Sequence, residues 1–184
     1  MSFRLIELYC GKTKVLLSPL FFALITLFLL ADREGIAVSV LLFSLLHETA
    51  HFAAALILNV NVKQIKISLA GICVGIHAPD GKRKIAVFSA GFFLNYALSV
   101  LFLALGKMDF MLINFVLGFF TSLPLPSSDG GEIIRELFEE KQSKTIFMIS
   151  AAAVLVIIIM LYAVSGNIFF VVPATYIIAL LIKP

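Results

Sequence analysis

Long apolar runs dominate this sequence and limit what it can fold into. A helix needs about 20 apolar residues to cross about 30 Å of hydrocarbon, and six segments of the 184-residue chain approach that length. They are 15–31, 36–58, 85–105, 110–123, 146–164 and 168–182. Hydrophobic residues make up 61% of the chain and charged residues 14%, against about 45–50% and about 25% in soluble domains. The sequence therefore predicts an all-α polytopic membrane protein with about six transmembrane helices, and excludes a nucleic-acid-binding protein.

The distribution of Lys and Arg gives these spans a direction, because cytoplasmic segments carry an excess of both residues. With the N-terminus inside, 12 of the 14 basic residues fall on the cytoplasmic side, and the external loops hold only Arg33 and Lys107. An incorrect number of spans would scatter these charges over both sides. We therefore expect a multi-pass protein with both termini in the cytoplasm, built as a single domain over residues 1–184.

Two cytoplasmic connections have patterns of their own. Between the second and third predicted spans, apolar residues alternate from Val60 to Ile76 with a turn at Ala70-Gly71, which is the period of β-strands. This pattern predicts a small membrane-associated β-hairpin between these two helices. After the fourth span, residues 131–143 place apolar side chains on one face and charges on the other, which predicts an amphipathic helix at the membrane surface.

The second predicted span contains an unusual polar group, His47-Glu48-Thr49-Ala50-His51. The i, i+4 spacing places both imidazoles on one helix face, as two ligands of a tetrahedral zinc ion require. Glu48 directly follows the first imidazole, so its carboxylate can act as general base on a zinc-bound water. Ionisable side chains at mid-bilayer cost at least about 2.5–3.5 kcal/mol each. Three of them on adjacent turns therefore favour a metal site over a chance match.

A zinc protease needs a third protein ligand and an open fourth position, and Asp129 is the candidate for this ligand. It follows Pro124 and Pro126, which prevent this stretch from being helical. Non-helical backbone at membrane depth is tolerated where it is buried in protein or lines a cavity, so this stretch could deliver a carboxylate to the metal. Spacing alone leaves a second interpretation open, in which Asp129 caps the next helix and Glu132 completes a capping box.

These motifs resemble the site-2 protease family of intramembrane zinc metalloproteases, and within it the compact branch of the stage IV sporulation protein FB type. The family combines HExxH in one span with N-x-x-P-x-x-x-x-D-G at the end of a later span. Four residues occupy the fixed places of the second signature: Thr121, Pro124, Asp129 and Gly130. The resemblance implies one zinc ion held by His47, His51 and Asp129, with Glu48 as the catalytic residue.

The sequence departs from the family pattern in three places. Thr121 stands where the signature has Asn, Phe92 stands where Pro is usual in the A-G-P-x-x-N stretch, and Ala50 stands where Gly is common. Thr121 keeps a hydrogen-bonding side chain, so the resemblance implies an intact metal site with altered substrate positioning. Asn95 occupies the Asn of the A-G-P-x-x-N stretch. It is either a helix–helix hydrogen-bond partner or a support for the substrate or the oxyanion.

The resemblance implies a zinc metalloendopeptidase that cuts a membrane-embedded or membrane-tethered protein near the cytoplasmic side. The expected location is a bacterial cell membrane, and the expected substrate is a sigma-factor precursor or its anchor, as in sporulation. The partners are then this substrate, the lipid bilayer and a candidate membrane inhibitor or regulator, with no nucleic acid. We expect no CBS or PDZ domain. The alternative is a non-catalytic transporter or scaffold that uses the His/Glu/His group as a cation site.

Overall fold

The computed structural model describes residues 6–10, 13–32, 35–68, 71–77, 80–126, 128–166, 174–175 and 177–178. The chain divides into two compact units, Met1–Ser122 and Leu123–Pro184. Helices dominate both units, and the first unit also contains a β-sheet.

Four helices belong to the first unit: α1 (Pro19–Ala31), α2 (Ile36–Ile57), α3 (Gly81–Ala104) and α4 (Met108–Ser122). With 22 and 24 residues, α2 and α3 are about 33 and about 36 Å long at 1.5 Å per residue, enough to cross a bilayer. The helices α1 and α4 are shorter, with 13 and 15 residues.

The first apolar helix begins later than the sequence predicted. Residues Val15–Leu17, the start of the predicted first span, belong to a strand, and α1 begins at Pro19. Proline suits the first helical position because its φ is already helical and its missing N–H would have no partner there.

The sheet contains four strands in the order β1 (Ile6–Cys10), β2 (Thr13–Leu17), β3 (Asn61–Ser68) and β4 (Gly71–His77). The pairs β1/β2 and β3/β4 are antiparallel, whereas β2 and β3 run parallel with Val15 opposite Ile65. The strands β3 and β4 lie where the alternating pattern predicted strands, between α2 and α3. The pair β1/β2 was not predicted.

The second unit contains α5 (Asp129–Leu137) and α6 (Glu140–Ser165). The sequence predicted a single amphipathic helix over 131–143, but α5 ends at Leu137 because Phe138 takes extended backbone angles, φ −127° and ψ 154°. Four residues of the predicted sixth span are helical: Ala174, Thr175, Ile177 and Ile178. The predicted sixth span covers 168–182, and its other residues lie outside the described residues.

Among the described residues, three helices are long and apolar enough to cross a membrane, and they lie at Ile36–Ile57, Gly81–Ala104 and Glu140–Val164. Their outer surfaces are apolar, with large side chains such as Leu56 on α2 and Phe93 on α3 exposed. Soluble proteins rarely expose apolar patches of this extent. The structure therefore indicates a multi-pass membrane protein.

Aromatic packing joins three helices of the first unit. The rings of Phe43 on α2, Phe102 on α3 and Phe110 on α4 meet edge to face, with centroids 5.3, 5.5 and 5.7 Å apart. Ser99 Oγ on α3 also donates a hydrogen bond to Met111 O on α4 at 3.1 Å. These contacts hold α3 in place against its neighbours, and α3 in turn faces the polar group of α2.

Candidate metal centre

The two histidines of α2 lie side by side inside the first unit. The side chains of His47 and His51 are 5% and 4% exposed, and their rings meet edge to face with centroids 4.7 Å apart. Their Nε2 atoms are separated by 3.1 Å. The structure therefore brings together the two imidazoles that the i, i+4 spacing places on one helix face.

Each imidazole is held through its Nδ1 atom by α3. His51 Nδ1 lies 2.7 Å from the carbonyl oxygen of Val87, and His47 Nδ1 lies 3.2 Å from Asn95 Oδ1. Both partners are acceptors, so each Nδ1 carries the hydrogen. In a neutral imidazole the other nitrogen then carries a lone pair. The two Nε2 lone pairs are thus directed to the same small region.

This arrangement fits a bound metal ion. Two nitrogen lone pairs at 3.1 Å repel each other unless a proton or a metal ion lies against both. Nitrogens bound at about 2.0–2.1 Å to one tetrahedral zinc ion stand about 3.3–3.4 Å apart, close to the separation in the structure. The hydrogen bonds at Nδ1 are of the kind that metal-binding histidines make through their second nitrogen. His47 and His51 could therefore hold zinc.

Glu48 and Thr121, the other polar residues singled out in the first unit, occupy different helices. Glu48 is half-buried on α2 next to His47, about 100° further around the helix. Thr121 Oγ1, near the end of α4, donates to Leu117 O at 2.9 Å. The Thr121 hydroxyl is thus bonded to its own helix, as threonine often is in apolar helices.

Asp129 begins α5 in the second unit, but it is not the N-cap of that helix. The N-cap is Ser128, whose Oγ accepts a hydrogen bond from the Gly131 N–H at 3.0 Å. Glu132 forms an ion pair with Arg135. The capping-box interpretation of Asp129 is therefore wrong, and its carboxylate lies in the first turn, where the helix dipole favours a negative charge.

Ser128 also organises the non-helical residues that precede α5. Its hydroxyl lies within hydrogen-bond distance of the carbonyl oxygens of Leu123 and Leu125, at 3.0 Å for Leu125. The Leu125 N–H in turn donates to Ser128 Oγ at 3.2 Å. This turn is so tight that a Cβ on Gly131 would lie 1.8 Å from Leu125 O. The turn therefore requires both the serine and the glycine.

Two further side chains hold the proline carbonyls of this stretch. Ser150 Oγ on α6 donates to Pro124 O at 2.5 Å, and Arg135 Nη2 on α5 donates to Pro126 O at 2.6 Å. Arg135 also lies over the ring of Phe147, with 5.2 Å between the guanidinium carbon and the ring centroid. Backbone carbonyls outside a helical ladder need other partners, and these side chains supply them just before Asp129.

Three residues gave no prediction from the sequence: Val87 in the first unit, and Ser128 and Arg135 in the second. The contribution of Val87 is a backbone carbonyl, which leaves no signal in a residue pattern. Ser128 could have been predicted as the N-cap, since serine is as good an N-cap as aspartate and Ser128 directly precedes Asp129. Arg135 reaches back nine residues to Pro126, a contact that only the folded turn creates.

The comparisons with known proteins identify a fold. The sequence matches no family model and no curated protein sequence. Among solved structures, the fold is similar to the site-2 protease from Methanocaldococcus jannaschii, with a TM-score of 0.66 and 17% sequence identity. The similarity covers 95% of this chain and 92% of that chain. The protein therefore has the fold of a site-2 protease.

Proposed function

We propose that this protein is an intramembrane zinc metalloprotease that hydrolyses a peptide bond of a membrane-embedded or membrane-tethered protein. One observation carries the proposal: α3 accepts the Nδ1 hydrogens of His47 and His51, and their Nε2 atoms face each other at 3.1 Å. Packing alone does not require this arrangement, and polar groups within a membrane-spanning helix are costly. The similarity in fold to a site-2 protease supports the same function.

Asp129 is the third ligand in this proposal. His47, His51 and Asp129 offer two imidazole nitrogens and one carboxylate oxygen, a donor set that suits zinc. Three protein ligands leave a fourth position open, which distinguishes catalytic from structural zinc sites. The place of Asp129 directly after a turn held by Ser128, Ser150 and Arg135 supports this role, because a ligand has to be presented in a defined position.

Glu48 is the general base. Zinc supplies Lewis acidity, which polarises a carbonyl group and lowers the pKa of water that it binds. The Glu48 carboxylate takes a proton from the attacking water and returns it to the amide nitrogen as the C–N bond breaks. This transfer leaves Glu48 ionised for the next cycle. Its position next to His47, half-buried, supports this assignment.

The depth of the imidazole pair defines the class of substrate. His47 stands about 16 Å from the start of α2 and about 15 Å from its end, near the middle of a candidate membrane span. A peptide bond must therefore reach the middle of the bilayer to be cut. The carbonyls of a transmembrane helix are already hydrogen-bonded, so such a substrate has to unwind locally before it reacts.

The finer assignments follow the sequence. We propose a six-span protein of the stage IV sporulation protein FB type, with both termini in the cytoplasm of a bacterium. A sigma-factor precursor or its anchor is the proposed substrate, and a membrane inhibitor or regulator is a candidate partner. Thr121 and Asn95 are candidate supports for the substrate or the oxyanion. The 12 basic residues on the cytoplasmic side support the orientation.

Replacement of Glu48 tests the chemistry. In cells that co-express a membrane-tethered reporter with one transmembrane helix, the wild type should release the cytoplasmic part of the reporter. Glu48→Gln should reduce this cleavage by about 100- to 10,000-fold, because general acid–base catalysis contributes that much, and should leave the zinc content unchanged. Glu140→Gln, an exposed change at the start of α6, is the control and should cleave normally. Equal cleavage by wild type and Glu48→Gln would favour the non-catalytic cation site.

Replacement of Asp129 tests the ligand set. Asp129→Asn removes the negative charge while keeping the size of the side chain, so zinc affinity should fall by more than about 10-fold. Chelator competition on the purified protein measures this affinity. Asp109→Asn, at an exposed position in the first turn of α4, is the matched control. An unchanged zinc affinity in Asp129→Asn would remove Asp129 from the ligand set.

A further inference from the structure

One face of α3 meets the imidazole pair with three residues. Val87, Gly91 and Asn95 are spaced by four in the sequence, so they lie above one another along the helix. Val87 and Asn95 place acceptors 2.7 Å from His51 Nδ1 and 3.2 Å from His47 Nδ1. Gly91 lies between them and presents no side chain.

A side chain at Gly91 would collide with both rings. A Cβ at this position would lie 2.5 Å from His51 Nε2 and 2.6 Å from both Cε1 and Nε2 of His47. Ordinary van der Waals contacts are 3.4–4 Å, so both rings would have to move by about an ångström. The backbone of α3 at Gly91 thus lies close to both rings, on the edge where each ring carries its Nε2 atom.

The rings cannot retreat without losing their partners. His51 is tied to the Val87 carbonyl, and His47 is tied to Asn95, whose side chain is 0% exposed. Moving either ring away from Gly91 would lengthen a hydrogen bond or change the separation of the Nε2 atoms. Glycine is also a poorer helix former than alanine, so Gly91 costs α3 some helix stability. Its benefit is that the backbone of α3 can lie close to the two imidazole rings.

Asn95 acts on the protonation pattern of His47. With Oδ1 toward His47 Nδ1, the hydrogen sits on Nδ1 and the lone pair on Nε2. With the amide turned around, Nδ2 would donate to Nδ1, and the hydrogen on Nε2 would close a metal-free hydrogen bond to His51. The structure has the first orientation, and Asn95 Nδ2 has no hydrogen-bond partner among the residues that the structure describes. The orientation of this amide therefore distinguishes a metal-binding from a metal-free imidazole pair.

We propose that Gly91 and Asn95 are positioning residues of the metal centre. Gly91 sets the separation of the two Nε2 atoms, and Asn95 sets the tautomer that directs the His47 lone pair toward the metal. This inference rests on the proposed function, since it takes His47 and His51 as metal ligands. It makes α3 the element that prepares the ligands of α2, and it gives Asn95 a task on the ligand His47 in addition to its candidate role toward the substrate.

The zinc affinity of the purified full-length protein tests the role of Gly91. Gly91→Ala should lower the affinity by about 10- to 100-fold, the range found when groups that orient metal ligands are changed. Ala97→Val, an exposed change on the same helix, is the control, and its zinc affinity should equal that of the wild type. With Co²⁺ as a spectroscopic probe, Gly91→Ala should change the visible absorption bands and Ala97→Val should preserve them.

Two replacements of Asn95 separate hydrogen bonding from packing. Asn95→Leu keeps a similar volume but removes the acceptor, so zinc affinity should fall by about 10- to 100-fold. Asn95→Asp keeps an acceptor oxygen for the His47 Nδ1 hydrogen and should retain the affinity. Equal loss in both variants would contradict the assignment of Asn95, because a role in tautomer selection requires rescue by the acceptor.

The possible failures are distinguishable. A wild-type protein that binds no zinc would overturn the proposed function. A wild type that binds zinc, together with Gly91→Ala and Asn95→Leu variants that bind it equally well, would overturn only this inference. If Gly91→Ala does not fold, the triple variant Gly91→Ala/His47→Ala/His51→Ala should fold, because it removes both rings that the methyl group would strike. A triple variant that stays unfolded would contradict the steric role of Gly91.

Discussion

The helix pair α2/α3 and the turn around Leu125 and Ser128 hold their polar groups in opposite ways. Within α2 and α3 the backbone satisfies its own hydrogen bonds, and the imidazoles of His47 and His51 find partners across the interface. These partners come from one face of α3. A change of side chain there can alter the site while both helices persist.

In the turn, by contrast, the backbone itself needs partners. Its prolines break the helical ladder, and the carbonyl groups of Leu123, Pro124, Leu125 and Pro126 accept hydrogen bonds from the side chains of Ser128, Ser150 and Arg135. Removing one of these side chains takes a hydrogen-bond partner from a carbonyl group of the turn, which costs about 1 kcal/mol. Changes in α2 and α3 should therefore affect mainly metal binding, whereas changes around the turn should affect mainly the stability of the protein.

The largest expected effect is the loss of zinc from His51→Ala. Changing a group that merely orients a ligand lowers metal affinity by about 10- to 100-fold, so removing a ligand should exceed that range. The helix α2 should persist, since alanine is a strong helix former. Zinc analysis and circular dichroism of the purified protein measure both outcomes. Thr49→Ala, an exposed change two residues earlier, is the control. Full zinc retention in His51→Ala would contradict a role of α2 in metal binding.

The second largest expected effect is a loss of stability in Gly131→Ala. The added Cβ would lie 1.8 Å from Leu125 O, and the turn cannot yield without losing the contacts of Ser128. Overpacking of this kind costs about 1–3 kcal/mol or more. Thermal unfolding in detergent micelles measures the change, and Gly118→Ala, whose Cβ would meet the Tyr96 ring at 3.2 Å, should shift the midpoint less. A Gly131→Ala variant with wild-type stability would show that the turn is less constrained than its geometry indicates.

The smallest effect is expected for Ser150→Ala. This change removes the hydroxyl that donates to Pro124 O at 2.5 Å, which should lower stability by about 1 kcal/mol. Ser150→Thr keeps the hydroxyl and should restore most of the loss. Thr145→Ala removes a hydroxyl that bonds to Lys141 O within the same helix, and should change stability by no more than about 0.5 kcal/mol. Equal effects of Ser150→Ala and Thr145→Ala would mean that the turn does not depend on this hydrogen bond.

Part of the candidate site could be predicted because its geometry is local. The spacing of His47 and His51 places them on one face of any helix that contains them. The tautomers of these residues could not be predicted, since they depend on Val87 and Asn95, which are 36 and 48 residues away along the chain. The same is true of Gly91, because a glycine in an apolar helix shows nothing about what approaches it.

The fold, too, has features that the sequence predicts and features that it does not. The apolar runs locate α2, α3 and α6, and alternation locates the strands between α2 and α3, because both patterns repeat within a few residues. The parallel pairing of β2 with β3 joins Val15 to Ile65, and no short-range pattern records such a partnership. Asp129 shows this limit. Local spacing left it as either a metal ligand or the cap of the next helix, and the hydrogen bond from the Gly131 N–H to Ser128 Oγ makes Ser128 the N-cap.

A membrane-spanning helical protein with two imidazoles and a carboxylate on adjacent turns follows from the amino-acid order alone, because hydrophobicity and helical spacing are properties of neighbouring residues. Which nitrogens carry hydrogens, how closely α3 approaches them and how the proline turn is held follow from folding. These features depend on groups that are distant in the chain, and hydrogen bonds and steric contacts act only once folding has brought such groups within a few ångströms.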